Sequence, residues 1–137
     1  MPLKPAQPAV EITLISSSLH KILMSYPEIQ SVFITDMKGV QLCAAGEDHR
    51  NKAQMYNAYK LSVDQSDKMG LGRQRSAVYG YQSTQIVALN MGHMIVFIVA
   101  LSNANTGMLL EMRNQLQPVA ETLLELVPNL ANIHMDD

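Results

Sequence analysis

The chain predicts an α/β domain of the α+β type: a five-stranded antiparallel sheet with helices on both faces, in the order α-β-β-α-β-β-β-α. Three observations predict it. Two groups of strand-like segments are each joined by short turn chemistry, as hairpins require. The stretch from Ser76 to Leu110 holds no Asp, Glu, Lys or Arg, although charges recur elsewhere. Within it, Met94–Val99 is apolar on both faces, so that strand sits centrally with dry layers on either side.

The elements follow in order. Residues 1–8 carry three prolines and no periodicity, and read as a loose tail. From Ala9 to Tyr26 the apolar positions Ile12, Ile15, Leu19, Ile22, Leu23 and Tyr26 take helical spacing. Pro27 stops that helix by disfavouring helical dihedrals at the residue before it. Ile29–Asp36 and Val40–Ala45 form the first hairpin around the turn Asp36-Met37-Lys38-Gly39. Gly46–Lys52 is a polar loop. Ala53–Met69 is the second helix, closed by Gly70. Ser76–Tyr81, Thr84–Asn90 and His93–Ser102 form a meander with breaks at Gln82-Ser83 and Met91-Gly92. Thr106 is placed to cap a last helix over Gly107–Val127, with Leu109, Met112, Leu116, Val119, Ala120, Leu123 and Leu126 on its apolar face. Pro118 is expected to kink it. The expected organisation is a tail over 1–8, one domain over 9–127 and a tail over 128–137.

Composition narrows the function classes. With 137 residues, 47% hydrophobic and 16% charged, the chain suits one folded domain rather than a disordered one. A net charge of −2 advertises neither nucleic acid nor an acidic membrane surface. The single cysteine, Cys43, leaves no internal disulfide and no multi-cysteine metal site, and fits a reducing compartment. The first residues lack a secretory h-region, Pro2 stands where myristoylation needs glycine, and the last residues form no prenylation box. The longest apolar run, Met94–Leu101, is far short of the ~20 residues that span a bilayer. Any membrane attachment is therefore expected through another molecule.

Catalytic and ligand motifs are sparse. The sequence has no G-x-x-x-x-G-K-[ST], H-E-x-x-H or G-x-S-x-G. Gly70-Leu71-Gly72-Arg73-Gln74-Arg75 follows a helix and precedes a strand, the reverse of a dinucleotide loop, and reads as a solvated connection. His20, His49, His93 and His134 share no ligand spacing on one element. Cys43 lies in an apolar strand and reads as a buried, inert thiol. The methionines are spread over all elements, which fits core gap-filling better than a dedicated binding surface. No catalytic residue, cofactor site or metal site is assigned.

One feature resists a purely structural explanation. A sequential meander leaves Ser76-Ala77-Val78-Tyr79-Gly80-Tyr81 at the sheet edge, where unpaired backbone groups are normally blunted by lysine, proline or a bulge. This segment has neither charge nor proline. Either a loop covers it or another chain pairs with it. The preceding helix presents small and medium residues, Ala58, Ser62 and Ser66, among Met55, Tyr59 and Met69, a face suited to close helix approach. A protein–protein interface built from this strand and this helix is the expected site.

These residues resemble a family. Asp64-Gln65-Ser66-Asp67-Lys68-Met69-Gly70-Leu71-Gly72, Gln85-Ile86-Val87, Ser102-Asn103-Ala104-Asn105-Thr106-Gly107 and the turn Asp36-Met37-Lys38-Gly39-Val40 are similar to the roadblock (dynein light chain) domain family. Within it they look most like the MAP-kinase scaffold subunits of Ragulator, over about residues 10–127. The resemblance implies a non-catalytic adaptor without cofactor. It implies a heterodimer with a second roadblock-domain protein, sheets joined edge to edge and second helices packed together. It further implies contacts with other Ragulator subunits, Rag GTPases, and MAP kinase kinase with its downstream kinase. The implied setting is the cytoplasmic face of late endosomes and lysosomes, reached through a lipidated partner, in MAPK and mTOR signalling. The tails and the short charged loop Gly46–Lys52 depart from the family pattern. Two other classes compete: a homodimeric roadblock protein that regulates a small GTPase or serves as a dynein light chain, and a small-molecule sensor or enzyme on a similar sandwich.

Overall fold

The computed structural model describes residues 7–68, 76–81 and 83–126, with side chains over 15–65, 76–80 and 83–126. The elements run α1 (Gln7–Ser25), β1 (Ile29–Asp36), β2 (Gln41–Gly46), α2 (Lys52–Lys68), β3 (Ser76–Tyr81), β4 (Thr84–Asn90), β5 (Met94–Leu101) and α3 (Thr106–Leu126). All strand pairs are antiparallel, in the spatial order β2-β1-β5-β4-β3. The predicted element order and the central place of β5 are both present.

The period-two alternation of β5 divides the core. Met94, Val96, Ile98 and Ala100 face one layer, where Ile15, Leu19 and Leu23 of α1 meet Leu109, Met112 and Leu116 of α3. Ile95, Phe97 and Val99 face the other, beneath Met55, Tyr59 and Val63 of α2. Both faces of β5 are thus dry, and each fully buried Val, Ile or Phe contributes roughly 1.5–3 kcal/mol of apolar transfer. Phe33 and Phe97, partners in the β1–β5 ladder, stack with centroids 4.8 Å apart. Tyr59 meets the Phe97 ring edge-on at 6.1 Å.

Local chemistry moves several boundaries. α1 begins at Gln7, ahead of the expected Ala9, because Pro8 then falls in the first turn, where a missing N–H leaves no bond unmade. β2 begins at Gln41, since Val40 belongs to the turn. The Val40 and Lys38 amides both donate to Asp36 Oδ1, at 2.9 and 2.8 Å. The α3 cap is Asn105, not Thr106. Asn105 Oδ1 accepts the Met108 amide at 3.0 Å, while the Thr106 hydroxyl donates to Gln85 Oε1 at 2.9 Å. α3 runs through Pro118, which lies on its exposed side, where a missing N–H costs least. Gly70, the loop to Arg75 and both expected tails beyond residues 7–126 lie outside the described residues.

Gln85 is the buried polar hub of one end of the sheet. At 8% exposure its Nε2 donates to the carbonyls of Ala104 at 2.9 Å, Leu101 at 3.2 Å and Ser102 at 3.4 Å. Two segments distant in the sequence, Gln85-Ile86-Val87 and Ser102–Gly107, are joined by this one side chain.

Candidate partner interface

β3 is a sheet edge. Its six residues pair with β4 from Ser76↔Leu89 to Tyr81↔Thr84, and among the described residues no strand pairs with its other side. Among the described residues, the outward backbone groups of β3 have no strand partner. Ser76–Tyr81 carries no charge and no proline, so nothing in its own side chains discourages pairing.

The side chains of β3 alternate. Ala77 is buried and Tyr79 half-buried against the α2 layer. The Tyr79 hydroxyl donates to the Met55 carbonyl at 2.6 Å, which ties the edge strand to α2. Burial pushes the Tyr79 phenol well above its ordinary value, so it remains a donor throughout the physiological range. Val78 lies on the opposite face and is 45% exposed, whereas its ladder partner Val87 is fully buried. Gly80 is exposed, and a Cβ built there would meet nothing within 4 Å.

α2 is turned differently from the sequence expectation. Met55 and Tyr59, expected at the partner surface, point inward with Val63 and belong to the chain's own core. The physical reason is the four-residue step Met55-Tyr59-Val63, which lines up on the side facing Phe33 and Phe97. Asn90 Nδ2 also donates to the Tyr59 hydroxyl at 3.1 Å, fixing that ring from β4. The outward face instead carries Asn57, Ala58, Leu61, Asp64 and Gln65, with Ser62 half-buried at its margin. Leu61 is 59% exposed. Sequence reasoning missed it, although a lone leucine off the apolar stripe was the available signal. The side chains of Ser66 and Tyr81, and the whole of Met69, lie outside the described residues.

α2 is also fastened at its start. Tyr56 donates to the Met37 carbonyl at 2.7 Å, and Lys52 Nζ sits 5.2 Å from the Phe33 ring centroid while donating to Gln41 Oε1 at 2.8 Å. Burial first, then the carboxylates of Asp36 and Asp64, raise the Tyr56 phenol. α2 and β3 are therefore held to one framework, with Ala58, Leu61 and Val78 left outward. Among the described residues no three His, Cys, Asp or Glu side chains are grouped to hold a metal ion, and no helix is long and apolar enough to cross a membrane.

This architecture is that of a roadblock domain. The chain superposes on a Roadblock/LC7 domain from Streptomyces avermitilis with a TM-score of 0.65 at 20% identity, covering 81% of this chain and 96% of that one. It superposes on Myxococcus xanthus MglB with a TM-score of 0.64 at 11% identity, covering 82% and 96%. The family model described as "Mitogen-activated protein kinase kinase 1 interacting" matches residues 14–127, and the chain belongs to that family. Relatives include the Ragulator complex protein LAMTOR3 of Pagrus major, 30% identical over 113 residues (80% of this chain, 91% of that protein). LAMTOR3 of Rattus norvegicus is 29% identical over the same length and coverage.

Proposed function

We propose that this chain is a non-catalytic scaffold subunit of a Ragulator-like complex, and that it pairs with a second roadblock-domain protein through β3 and the outer face of α2. The observation that carries this reading is the uncharged edge of β3, unpaired among the described residues, with exposed Val78 on the same strand and exposed Leu61 on the helix tied to it. An added strand would satisfy the edge backbone, and a partner helix would cover Ala58 and Leu61. The family description supports association with MAP kinase kinase, and the LAMTOR3 relatives support membership of a Ragulator-type complex; the reading extends to Rag GTPases and to late endosomes and lysosomes, reached through a lipidated companion.

The test is co-expression with a second roadblock-domain protein, followed by size-exclusion chromatography with light scattering. A one-to-one complex is expected. A chain that stays monomeric beside every roadblock protein tried contradicts the reading.

A self-paired roadblock dimer is the second reading. It is favoured by the composition of the α2 outer face, where Asp64 is the single charge among Asn57, Ala58, Leu61 and Gln65, so two copies would meet with little repulsion. Analytical ultracentrifugation of the pure chain separates the two, since a tight homodimer at submicromolar concentration supports self-pairing.

A further inference from the structure

A second surface lies at the opposite margin of the sheet. Where α1 ends, β1 starts and β2 finishes, an open groove of about 630 Å³ is lined by His20, Leu23, Met24, Pro27, Ile29 and Glu47, among others. Leu23 and Ile29 form its apolar floor, at 8% and 6% exposure, and Met24 stands over it at 73%. The volume falls in the range of pockets that take a few side chains or a small ligand. The start of β1 is fixed beside the groove by its backbone: the Leu101 amide donates to the Glu28 carbonyl at 2.9 Å.

Among the described residues that line the groove, Glu47 is the one carboxylate, His20 is the other ionisable side chain, and no Lys or Arg is present. α1 carries no basic residue in its last turn, Lys21 standing just before it, and a helix C-terminus favours a cation. Glu47 lines the groove with an exposed carboxylate. An apolar floor beneath a carboxylate and a helix C-terminus complements an apolar side chain next to a cation.

We propose that this groove is a second docking site, taking a short partner segment in which Leu, Ile or Met adjoins Lys or Arg. The apolar residue covers Leu23 and Ile29 against Met24, and the cation meets Glu47 and the last carbonyls of α1. Because β2 and β3 are opposite edges, the groove stays open when the β3 edge is occupied. The proposal therefore does not depend on the pairing reading.

The test uses the full chain with isotope-labelled methionine and glutamate, titrated with the short peptide Ser-Gly-Lys-Leu-Leu-Arg-Lys-Gly-Ser. Saturable shifts at Met24 and Glu47, without a shift at Met55 of α2, are expected. Met24→Asp and Glu47→Lys are each expected to weaken binding at least tenfold and to leave the thermal midpoint nearly unchanged, since both side chains are exposed. Twin peptides with both leucines changed to serine, or with the basic residues changed to glutamate, are expected to lose binding to the same extent. Equal binding by the acidic twin, or no saturation at Met24, overturns the proposal. So does a Met24 signal that moves on dilution, which marks a second copy in the groove, or on removal of residues 127–137, which marks the chain's own end there.

Discussion

Val78 stands opposite Val87 in the β3–β4 ladder, on the same face of the sheet, yet Val87 is fully buried and Val78 is 45% exposed. One strand's width separates core from margin. α1 packs over β1 and β2 and α3 over β4 on that face, while Val78 of β3 remains exposed. The same chemistry that closes the core therefore leaves an apolar side chain on a strand that, among the described residues, ends the sheet.

This contrast separates folding residues from surface residues. Tyr59→Ala removes a fully buried ring between Phe97 and Asn90 and is expected to cost about 3–5 kcal/mol, in line with other large aromatic truncations. Val78→Lys is expected to cost under about 1 kcal/mol in the unpartnered chain. Urea unfolding of both variants checks the difference. Equal costs would mean that β3 is covered on this face.

Gln85 braces the entry to α3, and Gln85→Leu deprives three carbonyls and the Thr106 hydroxyl of their partner at once. A loss of roughly 1–3 kcal/mol is expected, with faster amide exchange across 102–105. A double-mutant cycle with Thr106→Val should show coupling above about 0.5 kcal/mol. Strict additivity would show that the Gln85–Thr106 bond contributes nothing.

The glycines at the two sheet edges behave oppositely. Gly46 has φ +93, and a Cβ there would clash with the Gln30 carbonyl oxygen. Gly46→Ala is expected to destabilise by well over ~1 kcal/mol. Gly80→Ala meets open space in an ordinary strand conformation and should stabilise the free chain by about 0.5–1 kcal/mol. Thermal melts of the pair give the signs directly.

Burial pushes the Cys43 thiol from 9.0 up to about 11. The unfolded chain ionises near 9.0 while the folded chain does not, so stability contributed by this group is complete below pH 9 and is lost as pH rises toward 11. The slope within that window approaches about 1.4 kcal/mol per pH unit. Cys43→Ala should flatten it. Thiol reagents at pH 8 should react with the folded chain far more slowly than with the urea-unfolded chain.

Much of the fold was legible because each strand carries its own turn chemistry and because the charge-free stretch from Ser76 demanded a central strand. The edge position of β3 followed from the same reading. The orientation of α2 was not legible. Its helical period defines a stripe, but both Met55-Tyr59-Val63 and Ala58-Leu61-Gln65 are stripes, and the sheet beneath decides which one is buried. The Asn105 cap was hidden because Thr106 is an equally good cap by type, and its hydroxyl is claimed by Gln85, twenty-one residues earlier in the chain. Such long-range partnerships leave no local periodicity to read. The groove at Met24 was invisible for the same reason, since α1, β1 and β2 meet there only once folded.

The central claim is that β3 and the outer face of α2 are completed by a second roadblock protein. The most direct measurement is the dissociation constant of that pair for the unmodified chain, Val78→Lys, Leu61→Asp and, as a control at the far margin, Met24→Asp. An unpaired charge buried in the joint predicts at least a hundredfold weakening for the first two variants and no change for the third. Full affinity in both Val78→Lys and Leu61→Asp, with the folded state intact, would contradict the account.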